Sequence, residues 1–444
     1  MAAFAAVVGA LRRRLPGLGR RETLLVAITL WAAWLTLGTE ILSLFGGLTL
    51  GPVVGWWLAG LLLALSFVAR GPGAASTAPA VAGLTRIESV LLATLVVTFG
   101  LTLATAILYP PNTHDALSYH LPRSVRFIQQ KSVAAFETRD IQQVQMPPFA
   151  EYLDLHAMLL TGGDALVPFA RWAFFAASAL GLSVLAATLG GGRGAQLATA
   201  ALFATVPMAV LQASGAKNDL MVCCWAVVAI WALLRRDREA AGVPASALAL
   251  VSGMALGLLA LTKHTGLFLA LPIACLAAAH GLRKGTGFAP RHLVLLFLVA
   301  FALPLPHYLR CAVLLGRPLV VVARSEGRPG LANEVAGPAV LASNLVRNVA
   351  MNLALPSRTW NGIVQGATRR ALAILGADAD DPRTTWGGAF AVRYDAANES
   401  RTTAPVHAVL LGLALLWAPF ATRRPTAESG ASRVSWCREA CCSA

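Results

Sequence analysis

The stretch TLLVAITLWAAWLTLGTEILSLFGGL, residues 23–48, decides the fold class, because it is long and apolar and contains a single charged residue. About 20 predominantly apolar residues cross the hydrocarbon core of a bilayer as a helix. Of the 444 residues, 57% are hydrophobic and 13% are charged, whereas soluble domains average about 45–50% and about 25%. The sequence therefore predicts an all-α polytopic membrane protein.

Similar apolar runs recur along the chain, and we predict about ten membrane-spanning helices. Between them lie two long stretches, 109–165 and 314–403, while the other connections are short. Residues 1–22 are then a basic cytoplasmic N-terminus, residues 23–421 a transmembrane domain, and residues 422–444 a cytoplasmic tail. The predicted spans are 23–45, 50–69, 87–108, 166–189, 195–212, 219–234, 245–262, 265–281, 293–313 and 404–421.

Basic residues in the short connections predict the orientation, because lysine and arginine favour the cytoplasmic side. With the N-terminus in the cytoplasm, both long stretches face the outside. The net charge of +15 then reflects these loops, which favour anionic membrane lipids. No basic motif with interleaved aromatic residues indicates nucleic acid. The basic loops placed inside are Arg70, Arg193, 235–238, 283–292 and 422–424.

The first polar motif is PPNTHDALSYHLPR, residues 110–123, directly after a predicted span. Thr113 can cap a helix whose first turn holds Asp115, and Pro122 can end that helix and begin another. This second helix carries Arg123 on a polar face and fits the membrane surface. Polar groups near membrane depth usually serve a function. The alternative is a capping aspartate beside arginines that extend towards the headgroups.

Three further motifs fall on the same predicted face. QVQMPPFAEYLDLHAML, residues 143–159, predicts a helix that bears Glu151, Tyr152, Asp154 and His156, with a capped surface helix as the alternative. SGAKNDL, 214–220, and LTKHTGL, 261–267, are tight turns with one lysine each. A lysine suits a phosphate, although both lysines could simply extend into the interface.

The second long stretch predicts an amphipathic helix over residues 340–355, with Leu341, Leu345 and Val349 on one face and Arg347 on another. Such a helix fits the membrane interface.

Taken in order, NTHDALSYHLPR, QMPPFAEYLDLHAML, SGAKNDL and LTKHTGL resemble the motifs of bacterial membrane glycosyltransferases with the GT-C fold. They are most similar to the protein O-mannosyltransferase and aminoarabinose-transferase group, which is glycosyltransferase family 39-like. The resemblance implies transfer of a sugar from a polyprenyl-phosphate donor to a lipid, glycan or protein acceptor, with Asp115 as the catalytic acid of the first outer loop. The residues expected to bind substrate are His120, Arg123, Glu151, Lys217, Asp219, Lys263, His264 and Glu399.

The resemblance also implies a bacterial inner (plasma) membrane protein whose site faces the periplasm or exterior. In the segment NESRTTAPVH, residues 398–407, Glu399, Pro405 and His407 match the family pattern, whereas Ser400 departs from it. Family members often continue with further spans after the one that corresponds to residues 404–421, so a short or truncated form is expected.

The chemistry of such a transfer needs one carboxylate as general base. The leaving phosphate needs cations, for which Lys217 and Lys263 are candidates. No cofactor is certain, and a divalent metal ion is left open. Two other functions remain as alternatives. A transporter or flippase would carry ionisable residues near the bilayer midplane and broken helices in paired repeats. A non-catalytic partner in envelope assembly is the third.

Overall fold

The computed structural model describes residues 1–69, 83–235, 242–282, 289–316, 333–385 and 388–421, and all regular secondary structure in these ranges is helical. Five helices are long and apolar enough to cross a membrane, or six if one bent pair is a single span. The prediction of an all-helical chain with several membrane-spanning helices is confirmed.

The first nine helices are α1 (Ala2–Arg14), α2 (Arg20–Leu44), α3 (Leu50–Ala69), α4 (Arg86–Leu108), α5 (Leu121–Gln129), α6 (Gln142–Gln145), α7 (Phe149–Thr161), α8 (Val167–Thr188) and α9 (Arg193–Ala204). The others are α10 (Pro207–Gln212), α11 (Asp219–Leu234), α12 (Ala245–Thr262), α13 (His264–Leu282), α14 (Pro290–Ala302), α15 (Leu305–Leu315), α16 (Pro338–Asn352), α17 (Arg358–Ile374) and α18 (Pro405–Ala421). A π-helical turn, Ala116–His120, precedes α5.

Two predicted spans are interrupted in the structure. The run 195–212 forms α9 and α10, which are separated just before Pro207. The run 293–313 forms α14 and α15, which meet at an angle of 47° beside Pro304. Proline lacks the backbone N–H that a continuous helix needs, and its ring clashes with the preceding turn. Each of these two predicted spans is therefore a pair of shorter helices in the structure.

The centre of the bundle is α12, whose side chains are buried on all sides against α11 and α14. Its close approach to α14 depends on Gly253, where a Cβ atom would lie 2.5 Å from the carbonyl oxygen of Leu296. Gly257 repeats the contact one turn later, where a Cβ atom would lie 3.0 Å from the carbonyl oxygen of Ala300. Small residues four apart allow membrane helices to pack at such short distances. Packing of these helices positions the ends that carry the polar motifs.

The chain divides into two compact units. The larger comprises Met1–Val322 together with Ala397–Ser400, and the smaller comprises Ala323–Ala396 together with Arg401–Ala444. The predicted helix 340–355 is present as α16 in the smaller unit. Its predicted apolar face is exposed, whereas Arg347 is buried and donates to the carbonyl of Asp378 at 2.6 Å.

Charged residues of the larger unit gather at both ends of its helices. At the start of α2, the carboxylate of Glu22 accepts a hydrogen bond at 2.8 Å from Arg235, which follows the last residue of α11. At the start of α4, Glu88 accepts from Arg193 at 2.7 Å. The polar motifs lie at the other end of α11, where that helix begins. Of the basic loops predicted to be cytoplasmic, Arg70, 236–238, 283–288 and 422–424 lie outside the described residues.

Candidate functional site

Five predicted residues meet where α11 begins, and we call them the lysine–carboxylate cluster: Asp115, Lys217, Asp219, Lys263 and Glu399. The Nζ of Lys217 lies 2.7 Å from Oδ2 of Asp115. The Nζ of Lys263 lies 2.6 Å from Oδ1 of Asp219. The side chain of Asp115 is 32% exposed, so a substrate can reach this carboxylate. Four stretches of the sequence, 110–123, 214–220, 261–267 and 398–407, thus form one site.

Asp115 stands at the entry to the π-helical turn. The hydroxyl of Thr113 accepts the backbone N–H of Ala116 at 3.4 Å, and Pro122 lies in the first turn of α5. Both predictions for this motif, the threonine cap and the proline that begins a new helix, are confirmed. The π-helical turn was not predicted; such turns are frequent at functional sites. It sets where the carboxylate stands relative to α5.

Lys217 is almost buried, and its ammonium also donates to Oγ of Ser400 at 2.7 Å. The neighbouring Glu399 is fixed through its backbone carbonyl, which accepts from Gln212 at 3.2 Å. Burial raises the pKa of Glu399, although its hydrogen bond with Thr113 and the charge of Lys217 oppose that rise. Ser400, which departs from the family pattern, is thus the residue of this segment that contacts the lysine.

The two lysine turns are tied together. The side-chain amide of Asn218 donates to the carbonyl of Thr262 at 2.7 Å, immediately before Lys263. His264 follows at the start of α13, where its ring stacks on Tyr308 with 6.5 Å between centroids. No described contact joins His264 to the lysine–carboxylate cluster. The two lysines are therefore held at a fixed spacing, with the histidine beside them.

The structure places His120, Arg123 and Glu151 in the interior, not at an open surface. Nδ1 of His120 lies 2.6 Å from Oε1 of Glu151, and Arg123 donates to the carbonyl of Met146 at 2.6 Å. Burial alone would raise the pKa of Glu151, yet the charge and hydrogen bond of His120 and the charge of Arg123 bring this pKa below its usual value. These three residues join α5 to α7.

Two of the predicted helix positions need correction. α7 is not a surface helix, because Glu151, Tyr152 and Asp154 are fully buried. On α5, Arg123 points inward, whereas the apolar Val125 is 43% exposed. Both differences have one cause: α7 packs against α2, α3 and α5, so its polar side chains find partners inside the protein.

Three charged residues that form ion pairs between helices were not identified from the sequence. Arg171 on α8 forms a buried ion pair with Asp154 through both guanidinium NH groups, one at 2.8 Å. Arg310 on α15 binds both carboxylate oxygens of Glu40 on α2, at 2.6 and 2.8 Å. Each stands alone in an otherwise apolar run. A lone charge inside a span is a signal of function that could have identified them.

A groove of about 520 Å³ runs along α5 from the turn that follows Asp115. Its described lining begins at Leu117, two residues after Asp115, and does not include that carboxylate. Among the described residues, no three His, Cys, Asp or Glu side chains are arranged to hold a metal ion, so the divalent ion gains no support here. The groove is lined by Leu117, Leu121, Pro122, Val125, Arg126, Gln129, Phe136, Glu137 and Gln143.

Comparison of the chain with protein-family models, with curated proteins and with solved structures finds no match. The functional argument therefore rests on the geometry. An accessible carboxylate can accept a proton, and the neighbouring ammonium groups can bind an anion. The arrangement suits proton abstraction next to a bound phosphate.

Proposed function

We propose that this chain is a GT-C-like membrane glycosyltransferase that moves a sugar from a polyprenyl-phosphate donor to a hydroxyl of a lipid, glycan or protein acceptor. The observation that carries the proposal is the direct contact between the accessible Asp115 and the nearly buried Lys217. A base and a phosphate-binding cation are the two groups that an inverting transfer requires. The proposal counts about ten spans: the five long helices, the bent α14–α15 pair, the three shorter apolar helices α11, α13 and α18, and the α9–α10 pair.

In the proposed reaction, Asp115 takes the proton of the acceptor hydroxyl. The freed oxygen attacks the anomeric carbon, and the bond between that carbon and the phosphate oxygen breaks. The polyprenyl phosphate leaves as an anion and needs no proton, because Lys217 and Lys263 stabilise its charge. Without donor, Lys217 pairs with Asp115. A donor phosphate competes for the same ammonium, and the carboxylate becomes available as a base.

The proposed orientation follows from the two ends of the bundle. The end that contains Glu22, Arg193 and Arg235 belongs to the basic connections, which favour the cytoplasm. The lysine–carboxylate cluster lies at the opposite end and is then outside, facing the periplasm or exterior from the bacterial inner membrane. A polyprenyl tail would stay in the bilayer while the sugar enters the cluster.

The buried ion pairs and the two broken helices are features that a transporter would also have. Their positions favour the transferase. Arg171 lies in the second turn of α8, and Glu40 lies close to the end of α2. Arg171 and Glu40 thus lie near helix ends and not halfway along a span, where a transported substrate would be held, and Arg171 contacts the turn that carries Lys217.

The deciding experiment uses purified protein in vesicles and a panel of radiolabelled polyprenyl-phosphate sugars with an envelope extract as acceptor. We expect label to appear covalently in the acceptor, and to disappear from it with Asp115→Asn. The control is Asp381→Asn, which removes a carboxylate of the smaller unit that is 19% exposed and paired with Arg383. Movement of label across the vesicle without covalent transfer would identify a transporter. No reaction with any donor would favour a non-catalytic partner.

A further inference from the structure

The guanidinium of Arg171 connects α7 to the turn that carries Lys217. It pairs with Asp154 and also donates to two backbone carbonyls of the turn, to Ala216 at 2.9 Å and to Lys217 itself at 3.2 Å. Arg171 and Asp154 are both completely buried. One side chain therefore bonds the backbone of the lysine that we assign to the phosphate.

Besides Arg171, the turn is held by the bond from Asn218 to the carbonyl of Thr262, and it has no helical backbone of its own. Residues 213–218 lie between α10 and α11 and are not helical. A lysine ammonium sits at the end of a flexible four-carbon stem, so its location depends on where the backbone is held. Arginine is suited to this task, because its planar fork has five N–H donors and can serve a carboxylate and two carbonyls together. Lysine has the same charge without that geometry.

We propose that Arg171, held by Asp154, is a positioning residue that places the ammonium of Lys217 for the donor phosphate. This inference rests on the proposed function for the identity of the anion. The position of the lysine, however, is a property of the protein without ligand. It can be measured separately, so a failure of the positioning role and a failure of the phosphate role give different results.

The main variant is Arg171→Lys, which retains the charge and loses the fork. Asp154→Glu is the second, since it retains both charges and shifts the guanidinium by one methylene. The matched control is Arg235→Lys at the opposite end of α11. Arg235 is also buried, and it donates to a carboxylate of Glu22 at 2.8 Å and to the carbonyl of Gly17 at 2.7 Å.

The first measurement is the rate at which an amine-reactive reagent modifies Lys217, followed by mass spectrometry with Lys131 as internal standard. The second is the affinity for a short-chain polyprenyl phosphate, and Lys217→Ala gives the affinity that remains without the lysine. For Arg171→Lys and Asp154→Glu we expect Lys217 to react about tenfold faster and the phosphate to bind about tenfold more weakly, the effect of losing one charge-assisted hydrogen bond. In turnover, the donor KM should rise while the acceptor KM stays unchanged.

The control Arg235→Lys should change neither measurement. Unchanged reactivity of Lys217 in the folded variants would overturn the positioning role. If the wild-type protein binds polyprenyl phosphate, faster reaction of Lys217 in variants that bind it equally well would overturn the role too. So would an equal effect of Arg235→Lys, or loss of folded protein in both site variants while this control remains intact. If Lys217 reacts faster but wild-type protein binds no polyprenyl phosphate, Arg171 positions the lysine and the proposed function fails.

Discussion

Replacing Asp115 with Asn should abolish transfer while leaving the protein folded. The carboxylate is 32% exposed and its described ion pair is with Lys217. A surface pair contributes about 0–1 kcal/mol of stability, and the loss costs more here because the side chain of Lys217 is only 9% exposed. Asn keeps an oxygen that can accept from the ammonium, and Ser400 still accepts from it, which reduces this cost.

The effect on the reaction is far larger. A general base contributes about 10²–10⁴-fold in rate, which corresponds to about 3–5 kcal/mol on the activation barrier. Asn cannot accept the proton, so kcat should fall by that factor. Lys217 would lose its competing partner, so the donor should bind as well as before or better. A fall in kcat without a rise in donor KM is therefore the specific expectation.

The assay compares initial rates of radiolabel transfer at several donor concentrations, together with thermal unfolding in the same detergent. Asp381→Asn serves as the carboxylate control from the smaller unit and should behave as wild type. Near-normal turnover of a folded Asp115→Asn variant would refute the assignment of the base. Equal losses of stability and activity would show that the carboxylate only holds the loop.

Four further outcomes follow from the same structure. Lys263→Ala and Lys217→Ala should each weaken donor affinity roughly tenfold to a hundredfold, because a charge-assisted contact contributes about 1.5–3 kcal/mol. Unchanged donor kinetics in both variants would mean that the lysines do not bind the phosphate. Glu151→Gln should destabilise the fold by about 3–5 kcal/mol, because it leaves Arg123 and His120 buried without their counter-charge; a variant of wild-type stability, measured by thermal unfolding, would contradict this. His156 accepts from Trp57 at 3.0 Å and is buried, and burial lowers its pKa from 6.5 to about 4. The unfolded chain therefore binds more protons between pH 6.5 and 4, so the free energy of unfolding should fall by up to about 3 kcal/mol as the pH drops through this window. His156→Gln should lack this loss. An equal pH dependence of stability in the wild type and the variant would disprove it. Finally, a single cysteine at Gly163 should react with an impermeant reagent in intact cells and one at Gly192 should not; the reverse pattern would place the cluster in the cytoplasm.

The local sequence was sufficient for those features that depend on neighbours along the chain. Length and apolar character predicted α2, α4 and α8, because a helix in lipid satisfies its own backbone hydrogen bonds. Thr113 and Pro122 predicted the helix boundaries beside Asp115, because a capping side chain and a proline ring act on the backbone within one turn. The breaks before Pro207 and at Pro304 were readable in principle, since proline acts on its own turn.

Only the tertiary structure decided which polar residues are accessible and which are interior. Asp115 and Glu151 are both carboxylates at the start of predicted helices, yet one meets solvent and the other is buried against His120. Their surroundings come from segments far apart in the chain, as Ser400 beside Lys217 shows. The free energy of a charged side chain depends on the groups that replace its water. Those groups are brought together by the packing of the helices, and no local pattern of residues contains them.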